Sequence, residues 1–465
     1  MGDRIGFVLA GGGTKGAFEV GALGHVVGRL GLVPDIVTAA SAGSIIGAKL
    51  AQARGADEAR ARIDELTSDL LAMSDTEVVF GRRAWLEDLR STEIGRRILE
   101  VIERRPEPAS FDGRLPGDPD GDPDVPDPRA AAEGRRHQRL GSLRAVASLL
   151  GDLGAVDRAR RDLPDSSCSF LTLDPLGRAL RGGDADAAIA PLDVDLVARP
   201  GLDLRLAVTA TEPGMLRFVC GDGTVVEDDA RTPSPSHDGP VDLVEAVLTS
   251  SSAPLVFAPR QLGGRTYADG GILANLPVGA AVDLGATRVV AVVATTIDAP
   301  LDPRTAADMT LLDVHVRASE LMFYDQQRRS LQVPEGVGLD VIAPTVDLVG
   351  AFEVNEGLLR IDMDYGWLRA QEALADIDEG TRALARLLTD RIAVARDRSW
   401  YAEELVMADR PGATLDDVRR LKEVVGETLD RRAALGLEPP PGASSWASTW
   451  EAHDESAAEG GPPPI

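Results

Sequence analysis

The alternation of strand and helix patterns over residues 4–50 constrains the fold of this chain most. An apolar run over residues 4–10 ends in three glycines, and residues 15–31 then carry apolar side chains at helical spacing. A second apolar run covers residues 35–40, and another helical pattern begins at Ala42. Strands that alternate with helices predict an α/β fold, in which a mainly parallel sheet is covered by helices on both faces.

Shifts in composition divide the chain of 465 residues into regions. Residues 105–135 are rich in Pro, Asp and Gly and cannot bury a core, so they are predicted to be a disordered insertion. Residues 136–165 carry a helical apolar spacing, which fits either a helix packed on the main domain or part of a mobile lid. We expect a main domain over 4–300 that contains both insertions, a region over 301–435 with the last strand or strands and helices, and a disordered tail over 436–465.

The formal net charge of −26 comes from 75 acidic and 49 basic residues. Such a charge argues against nucleic acid and anionic membrane surfaces as constitutive partners, and it leaves at most transient membrane contact. The cysteines and histidines show no metal-binding spacing, so no metal site is expected. The first residues lack a signal-peptide layout and no apolar run reaches membrane-spanning length, which together predict a cytoplasmic protein.

A glycine-rich loop joins the first strand pattern to the first helix, and it consists of Gly11, Gly12, Gly13, Thr14, Lys15 and Gly16. A Walker A phosphate loop needs its lysine after the last glycine, whereas Lys15 precedes Gly16. The glycines do match the spacing of a dinucleotide fingerprint, but the acidic residue Asp35 lies before the second strand instead of after it. Backbone amides at a helix N-terminus can also stabilise an oxyanion. The loop alone fits nucleotide binding or an oxyanion hole.

A turn of small residues joins the second strand to the second helix, and it consists of Ala39, Ala40, Ser41, Ala42 and Gly43. A nucleophile elbow has this composition, because its serine adopts a strained conformation that bulky neighbours would prevent. Ser41 could instead act as the N-cap of the helix. Both interpretations of Ser41 stay open on this turn alone.

An aspartate followed by two glycines ends a later apolar strand pattern, at Asp269, Gly270 and Gly271. Asp-Gly pairs are also common in ordinary turns. This motif alone therefore assigns no role to Asp269.

These three motifs, in this order and at strand ends, resemble the patatin-like phospholipase family. The resemblance covers roughly residues 4–80 and 200–300. Two positions depart from the usual pattern of that family. Ala39 replaces a glycine of the nucleophile turn, and Lys15 replaces an arginine of the glycine loop.

The resemblance implies a three-layer α/β/α domain in which Ser41 attacks an acyl ester and Asp269 accepts the serine proton. Amides of the glycine loop would stabilise the oxyanion, and neither a cofactor nor a metal is required. The implied substrate is a lipid acyl ester, which can be a phospholipid, a lysophospholipid or a glyceride. An alternative is a non-catalytic scaffold of the same fold that binds a lipid or a partner, although no partner protein is identifiable. A related acyltransferase or thioesterase would ordinarily use a histidine base.

Overall fold

The computed structural model describes most of the chain. The described residues are 4–73, 79–82, 169, 171–183, 189–254, 256–299, 309 and 311–453. The insertions predicted at 105–135 and 136–165 lie outside these residues.

Strands and helices alternate through the first half of the chain, and helices dominate its last third. The described strands are β1 (Ile5–Leu9), β2 (Ile36–Ala39), β3 (Gly81–Arg82), β4 (Leu171–Thr172), β5 (Asp203–Ala210), β6 (Met215–Cys220), β7 (Val225–Val226), β8 (Arg260–Leu262), β9 (Arg265–Asp269), β10 (Arg288–Val292) and β11 (Gly338–Ile342). The described helices are α1 (Gly16–Leu23), α2 (Ala42–Leu50), α3 (Ala56–Ala72), α4 (Asp174–Leu180), α5 (Val194–Ala198), α6 (Leu243–Ser250), α7 (Gly271–Ala274), α8 (Val278–Asp283), α9 (Leu311–Ser330), α10 (Glu356–Leu374), α11 (Glu379–Met407) and α12 (Leu415–Ala433). A 3₁₀ turn at Gly13–Lys15 precedes α1, and a π-helical turn at Gly24–Arg29 continues it. Not one of the described helices combines the length and the apolar character needed to cross a membrane.

A mixed sheet with mostly parallel strands forms the centre of the domain. Its main strand order is β11-β10-β1-β2-β5-β6-β7, and β9 pairs with both β5 and β8. The strands from β11 to β5 in this order run parallel, whereas β6, β7, β8 and β9 add antiparallel pairs. The mainly parallel sheet that the strand and helix alternation predicts is therefore confirmed.

Both faces of the sheet are buried. Phe7 and Leu9 of β1 lie in a hydrophobic core with residues of α1, α2 and α3, whereas Val8 and Ala10 lie in a second core with residues of α8. Successive side chains of a strand point to opposite faces, so the fully apolar sequence of β1 requires helices on both sides. The structure confirms the three-layer α/β/α fold.

Two strands meet end to end along one edge of β5. β2 runs parallel to β5 and its last residue, Ala39, pairs with Leu206. β9 runs antiparallel to β5 and its last residue, Asp269, pairs with Val208. Because β6 occupies the opposite edge of β5, the ends of β2 and β9 point toward each other on either side of Ala207. The topology therefore brings the turn that follows β2 beside Asp269.

The disordered tail predicted over 436–465 needs correction, because residues 436–453 pack against the helices. Trp446 is buried, and the guanidinium of Arg396 on α11 lies 3.9 Å from its ring centroid. Glu451 is also buried, and its Oε2 lies 2.8 Å from the same guanidinium. Composition predicts disorder here because Pro, Gly and Ser are frequent, whereas the contacts of Trp446 and Glu451 with the buried Arg396 help to dock the segment onto α11.

Candidate active site

Ser41 occupies a strained backbone conformation between β2 and α2. Its φ and ψ angles are 51° and −127°, a combination that residues other than glycine rarely adopt. Its side chain makes no capping hydrogen bond to α2, so the N-cap interpretation is not supported. Strain of this kind costs on the order of 1–3 kcal/mol and persists only where the surroundings enforce it, which points to a functional role.

Close packing explains why the turn around Ser41 consists of small residues. A Cβ at Gly43 would lie 2.6 Å from the carbonyl oxygen of Ala10, so no larger residue fits there. Ala40 is fully buried. The Cβ of Ala39 is accommodated because Gly47 faces it from α2, where an added Cβ would lie 3.2 Å away. The alanine at position 39 is therefore compatible with the geometry of a nucleophile elbow.

Serines at and near the end of α6 hold the backbone of Ser41. The Ser41 amide donates to Oγ of Ser250 at 3.1 Å, and that hydroxyl donates to the carbonyl of Ala207 on β5 at 2.6 Å. Oγ of Ser44 lies 2.7 Å from Oγ of Ser250, and Ser251 donates to the Ser41 carbonyl at 3.0 Å. The sequence analysis predicts no role for these serines. The run of three consecutive serines from position 250 is the sequence feature that could have indicated one.

Asp269 lies buried at the end of β9, where its carboxylate is close enough to the Ser41 hydroxyl for the serine to lower the pKa of the carboxyl. Oδ1 of Asp269 also accepts the amide of Gly271 at 2.6 Å. A Cβ at Gly270 would lie 2.2 Å from the carbonyl oxygen of Ala207, so glycine is needed where the chain passes β5. The structure thus brings together the serine and the aspartate that the sequence singles out, and the two glycines after Asp269 fix its position.

The environment of Asp269 suits proton transfer near neutral pH. Burial raises the pKa of its carboxyl from 3.8 to about 7, and the Gly271 amide and the nearby Ser41 hydroxyl oppose only part of that rise. A general acid or base is most effective when its pKa lies near the working pH. The Asp269 carboxyl can therefore both accept and return a proton under physiological conditions.

Within the glycine loop, two amides have no hydrogen-bond acceptor in the described part of the protein. The amides of Gly11 and Thr14 donate to backbone carbonyls at 3.2 and 2.9 Å, and the Gly16 amide closes the 3₁₀ turn. The amides of Gly12 and Gly13 donate to no acceptor among the residues that the structure describes. Of the six loop residues predicted to form an oxyanion hole, these two have donors available for a ligand.

Residues far along the chain anchor the glycine loop. The carbonyl of Ala351 accepts the Thr14 amide, and a Cβ at Gly13, whose φ is +63°, would lie 2.0 Å from the same oxygen. Nζ of Lys15 lies 2.9 Å from Oδ1 of Asp347, and both side chains are largely buried. Lys15 therefore ties the loop to the segment before α10, which is a structural role that the sequence does not reveal.

Gly11→Ala is expected to lower ester turnover by about 100-fold or more, because displacement of reacting groups by about 1 Å has effects of that size. A Cβ at Gly11 would lie 2.4 Å from Oδ1 of Asn275 and 2.7 Å from Cβ of Ser41. Gly28→Ala is the matched control, since a Cβ at Gly28 meets nothing within 4 Å. The measurement is kcat/KM for p-nitrophenyl butyrate, with circular dichroism to confirm folding. Undiminished turnover in a folded Gly11→Ala variant would contradict this account of the loop.

The segment that contains these site residues also relates the chain to known proteins. Residues 7–282, which include the glycine loop, Ser41 and Asp269, match the family model described as Patatin-like phospholipase. No curated protein matches the chain. Among solved structures, VipD from Legionella pneumophila is similar at 16% identity and a TM-score of 0.26, over 96% of this chain and 90% of that one. The type III effector protein ExoU is similar at 16% identity and a TM-score of 0.19, over 96% of this chain and 72% of that one.

Proposed function

This chain belongs to the patatin-like phospholipase family, and we propose that it is a serine hydrolase of lipid acyl esters in which Ser41 is the nucleophile and Asp269 the general base. Family membership supports lipid hydrolase activity in general. The roles of the two residues and the class of substrate rest on the geometry of the site and on the cavity beside it.

In the proposed reaction, Oγ of Ser41 attacks the ester carbonyl while the Asp269 carboxylate takes the hydroxyl proton. The carbonyl π electrons move to oxygen, and the amides of Gly12 and Gly13 stabilise the resulting oxyanion. The tetrahedral adduct collapses, and the alcohol leaves with the proton from Asp269. Water then gives a proton to Asp269 and displaces the acyl group from Ser41 as a carboxylic acid, after which Ser41 recovers its proton.

The close approach of the Ser41 hydroxyl to the buried Asp269 carboxylate, at the point where β2 and β9 meet along β5, carries this proposal. A scaffold that only binds lipid gains nothing from a desolvated carboxylate or from a serine with strained dihedral angles, because each of them lowers stability. A hydrolase needs both, since the strained turn exposes the nucleophile and the desolvated carboxylate is the stronger base. The catalytic interpretation is therefore favoured over the non-catalytic one.

The cavity next to Ser41 favours an acyl group as the bound part of the substrate. It is lined largely by aliphatic and aromatic side chains, which include Ile45, Leu66 and Phe257. A fatty acyl chain is removed from water in such a cavity, and burial of apolar surface is the main source of its affinity. Phospholipids, lysophospholipids and glycerides all carry this group.

Fluorophosphonate labelling followed by peptide mapping tests the proposed nucleophile. We expect the label on Ser41, together with release of fatty acid from phosphatidylcholine, lysophosphatidylcholine or diacylglycerol. A folded protein that takes no label on Ser41 and releases fatty acid from none of these lipids would favour the non-catalytic scaffold.

We expect ester turnover to need no histidine. The histidines of the chain are His25, His137, His237, His315 and His453. In the described part of the structure none of them hydrogen-bonds Ser41 or Asp269, and His137 lies outside that part. Replacing each histidine by Gln should leave kcat/KM within about tenfold, because no proton of the reaction passes through it. A folded histidine variant with activity as low as that of Asp269→Asn would indicate a triad instead.

A further inference from the structure

The cavity beside Ser41 runs between α2 and α3. Each helix presents one face to it, since the lining positions recur at helical spacing. On α2 these positions are Ala42, Ile45, Ile46 and Lys49, and along α3 and the residue after it they are Leu66, Asp69, Leu70 and Met73. Ser41 precedes the first turn of α2 and Lys49 lies in the last, so the cavity follows the length of this helix away from the nucleophile.

The lining of the cavity along the last turns of α2 and α3 includes two charged residues, Lys49 and Asp69. Lys49 is almost fully buried, and its Nζ lies 2.7 Å from Oε1 of Glu65 and 3.3 Å from Oδ2 of Asp69. The same ammonium donates to the carbonyl of Ala190, while Oδ1 of Asp69 accepts the Ala190 amide at 3.0 Å. Elements on three sides therefore fix the ion pair in place.

A buried ion pair is a poor source of stability, because the cost of desolvating two charges offsets most of their attraction. Burial raises the pKa of Asp69, in keeping with a desolvated carboxylate. The terminal methyl group of an acyl chain cannot replace the hydrogen bonds of such a pair, so a chain that reaches it can advance no further.

We propose that Lys49 and Asp69 form the end wall of an acyl-chain pocket and set the longest chain that the enzyme accepts. With a rise of 1.5 Å per residue, Lys49 lies about 12 Å from Ser41 along α2, which is the length of an extended acyl chain of roughly eight to ten carbons. The preferred substrates are thus medium-chain acyl esters. This inference rests on the proposed function, since Ser41 defines the start of the chain.

Three phenylalanine side chains form another part of the pocket wall, and this part is apolar. Phe80, Phe257 and Phe352 come from three separate segments, and their ring centroids lie 5.5, 6.0 and 6.3 Å apart. Aromatic rings accept an alkyl chain without regard to its length. Selection by chain length must therefore come from the end wall.

The test is the profile of kcat/KM for p-nitrophenyl esters from acetate to palmitate. Wild-type protein should prefer octanoate and decanoate and turn over palmitate at least tenfold less well. In the double variant Lys49→Met and Asp69→Asn, the ratio of palmitate to octanoate turnover should rise at least tenfold. This variant removes both charges together, and the side-chain amide that replaces the Asp69 carboxylate keeps an oxygen that can accept the Ala190 amide. Glu65 keeps an ion-pair partner, because its Oε2 lies 2.6 Å from Nη1 of Arg62.

A second variant keeps the inference testable where the double variant fails to fold. Ile45→Trp fills the pocket one turn below Ser41 and should lower the ratio of octanoate to acetate turnover at least tenfold. Leu384→Trp, on the exposed face of α11, is the matched control and should leave the profile unchanged. A wild-type kcat/KM that keeps rising up to palmitate would contradict the proposed end wall. So would turnover ratios that change in neither pocket variant while Ser41 still takes the fluorophosphonate label, and both results would leave the proposed function intact. Absence of both labelling and turnover in wild-type protein would overturn the proposed function as well.

Discussion

Asp269→Asn should lower kcat/KM for acyl esters by about 10³-fold or more, because the proposed mechanism uses this carboxylate as its base and removal of a catalytic triad member from serine proteases has effects of that size. The amide side chain has the shape of the carboxylate and can still accept the Gly271 amide, but it cannot take the Ser41 proton. Asp283→Asn, on exposed α8 surface, makes the same chemical change away from the site and serves as the control. Initial rates with p-nitrophenyl butyrate measure both variants, and a folded Asp269→Asn variant with wild-type turnover would remove Asp269 from the mechanism.

The pH profile provides an independent test of the same carboxyl group. In the proposed mechanism the ionised form of Asp269 is the base. Because burial raises the pKa of Asp269 to about 7, kcat/KM should increase with pH through about 7 and then level off. The residual activity of Asp269→Asn should lack this inflection. A wild-type profile without an inflection between about pH 5 and 8 would contradict the assignment of the base.

The stability of Asp269→Asn should change in the opposite direction from its activity. The carboxyl binds its proton more tightly in the folded protein, with a pKa of about 7 against 3.8, so its ionisation opposes folding increasingly across that window and fully above it. A difference of about three units corresponds to on the order of 4 kcal/mol. The neutral amide removes this penalty, and Tm should therefore rise at pH 8 but hardly at pH 4. A lower Tm at both pH values would contradict this account of the buried charge.

The sequence predicts those features of the fold that depend on local patterns. The apolar run of β1 predicts a strand buried on both faces, and the small residues around Ser41 predict a sharp turn, because both properties are set by neighbouring side chains. The meeting of β2 and β9 along β5 is different. It brings Ser41 to Asp269 across more than two hundred positions of sequence, and only the resemblance to a family predicts it.

The support of the glycine loop could not be predicted, because it comes from contacts that leave no local pattern. Gly21 of α1 and Gly366 of α10 let the two helices approach closely, since a Cβ at Gly21 would lie 1.8 Å from the carbonyl oxygen of Met363 and one at Gly366 would lie 2.0 Å from that of Phe18. Each glycine is unremarkable in its own helix. The glycine loop leads into α1, and α10 lies beyond the segment that matches the family, so a helix outside that segment helps to position the glycine loop.

Ser41→Ala and Ser41→Gly should both lose at least about 10³-fold in ester turnover and all fluorophosphonate labelling, but they should differ in stability. Alanine retains a Cβ at φ 51° and ψ −127°, so it keeps the strain of the wild-type turn. Glycine adopts positive φ freely and should relieve about 1–3 kcal/mol, of which its greater freedom in the unfolded chain cancels roughly 0.5–1 kcal/mol. We therefore expect Ser41→Gly to be more stable than Ser41→Ala by about 1 kcal/mol in urea unfolding. Equal stability of the two variants would limit the strain of the turn to the roughly 0.5–1 kcal/mol that the freedom of glycine cancels, which is below the expected range. Retained turnover in either variant would assign the nucleophile to another residue.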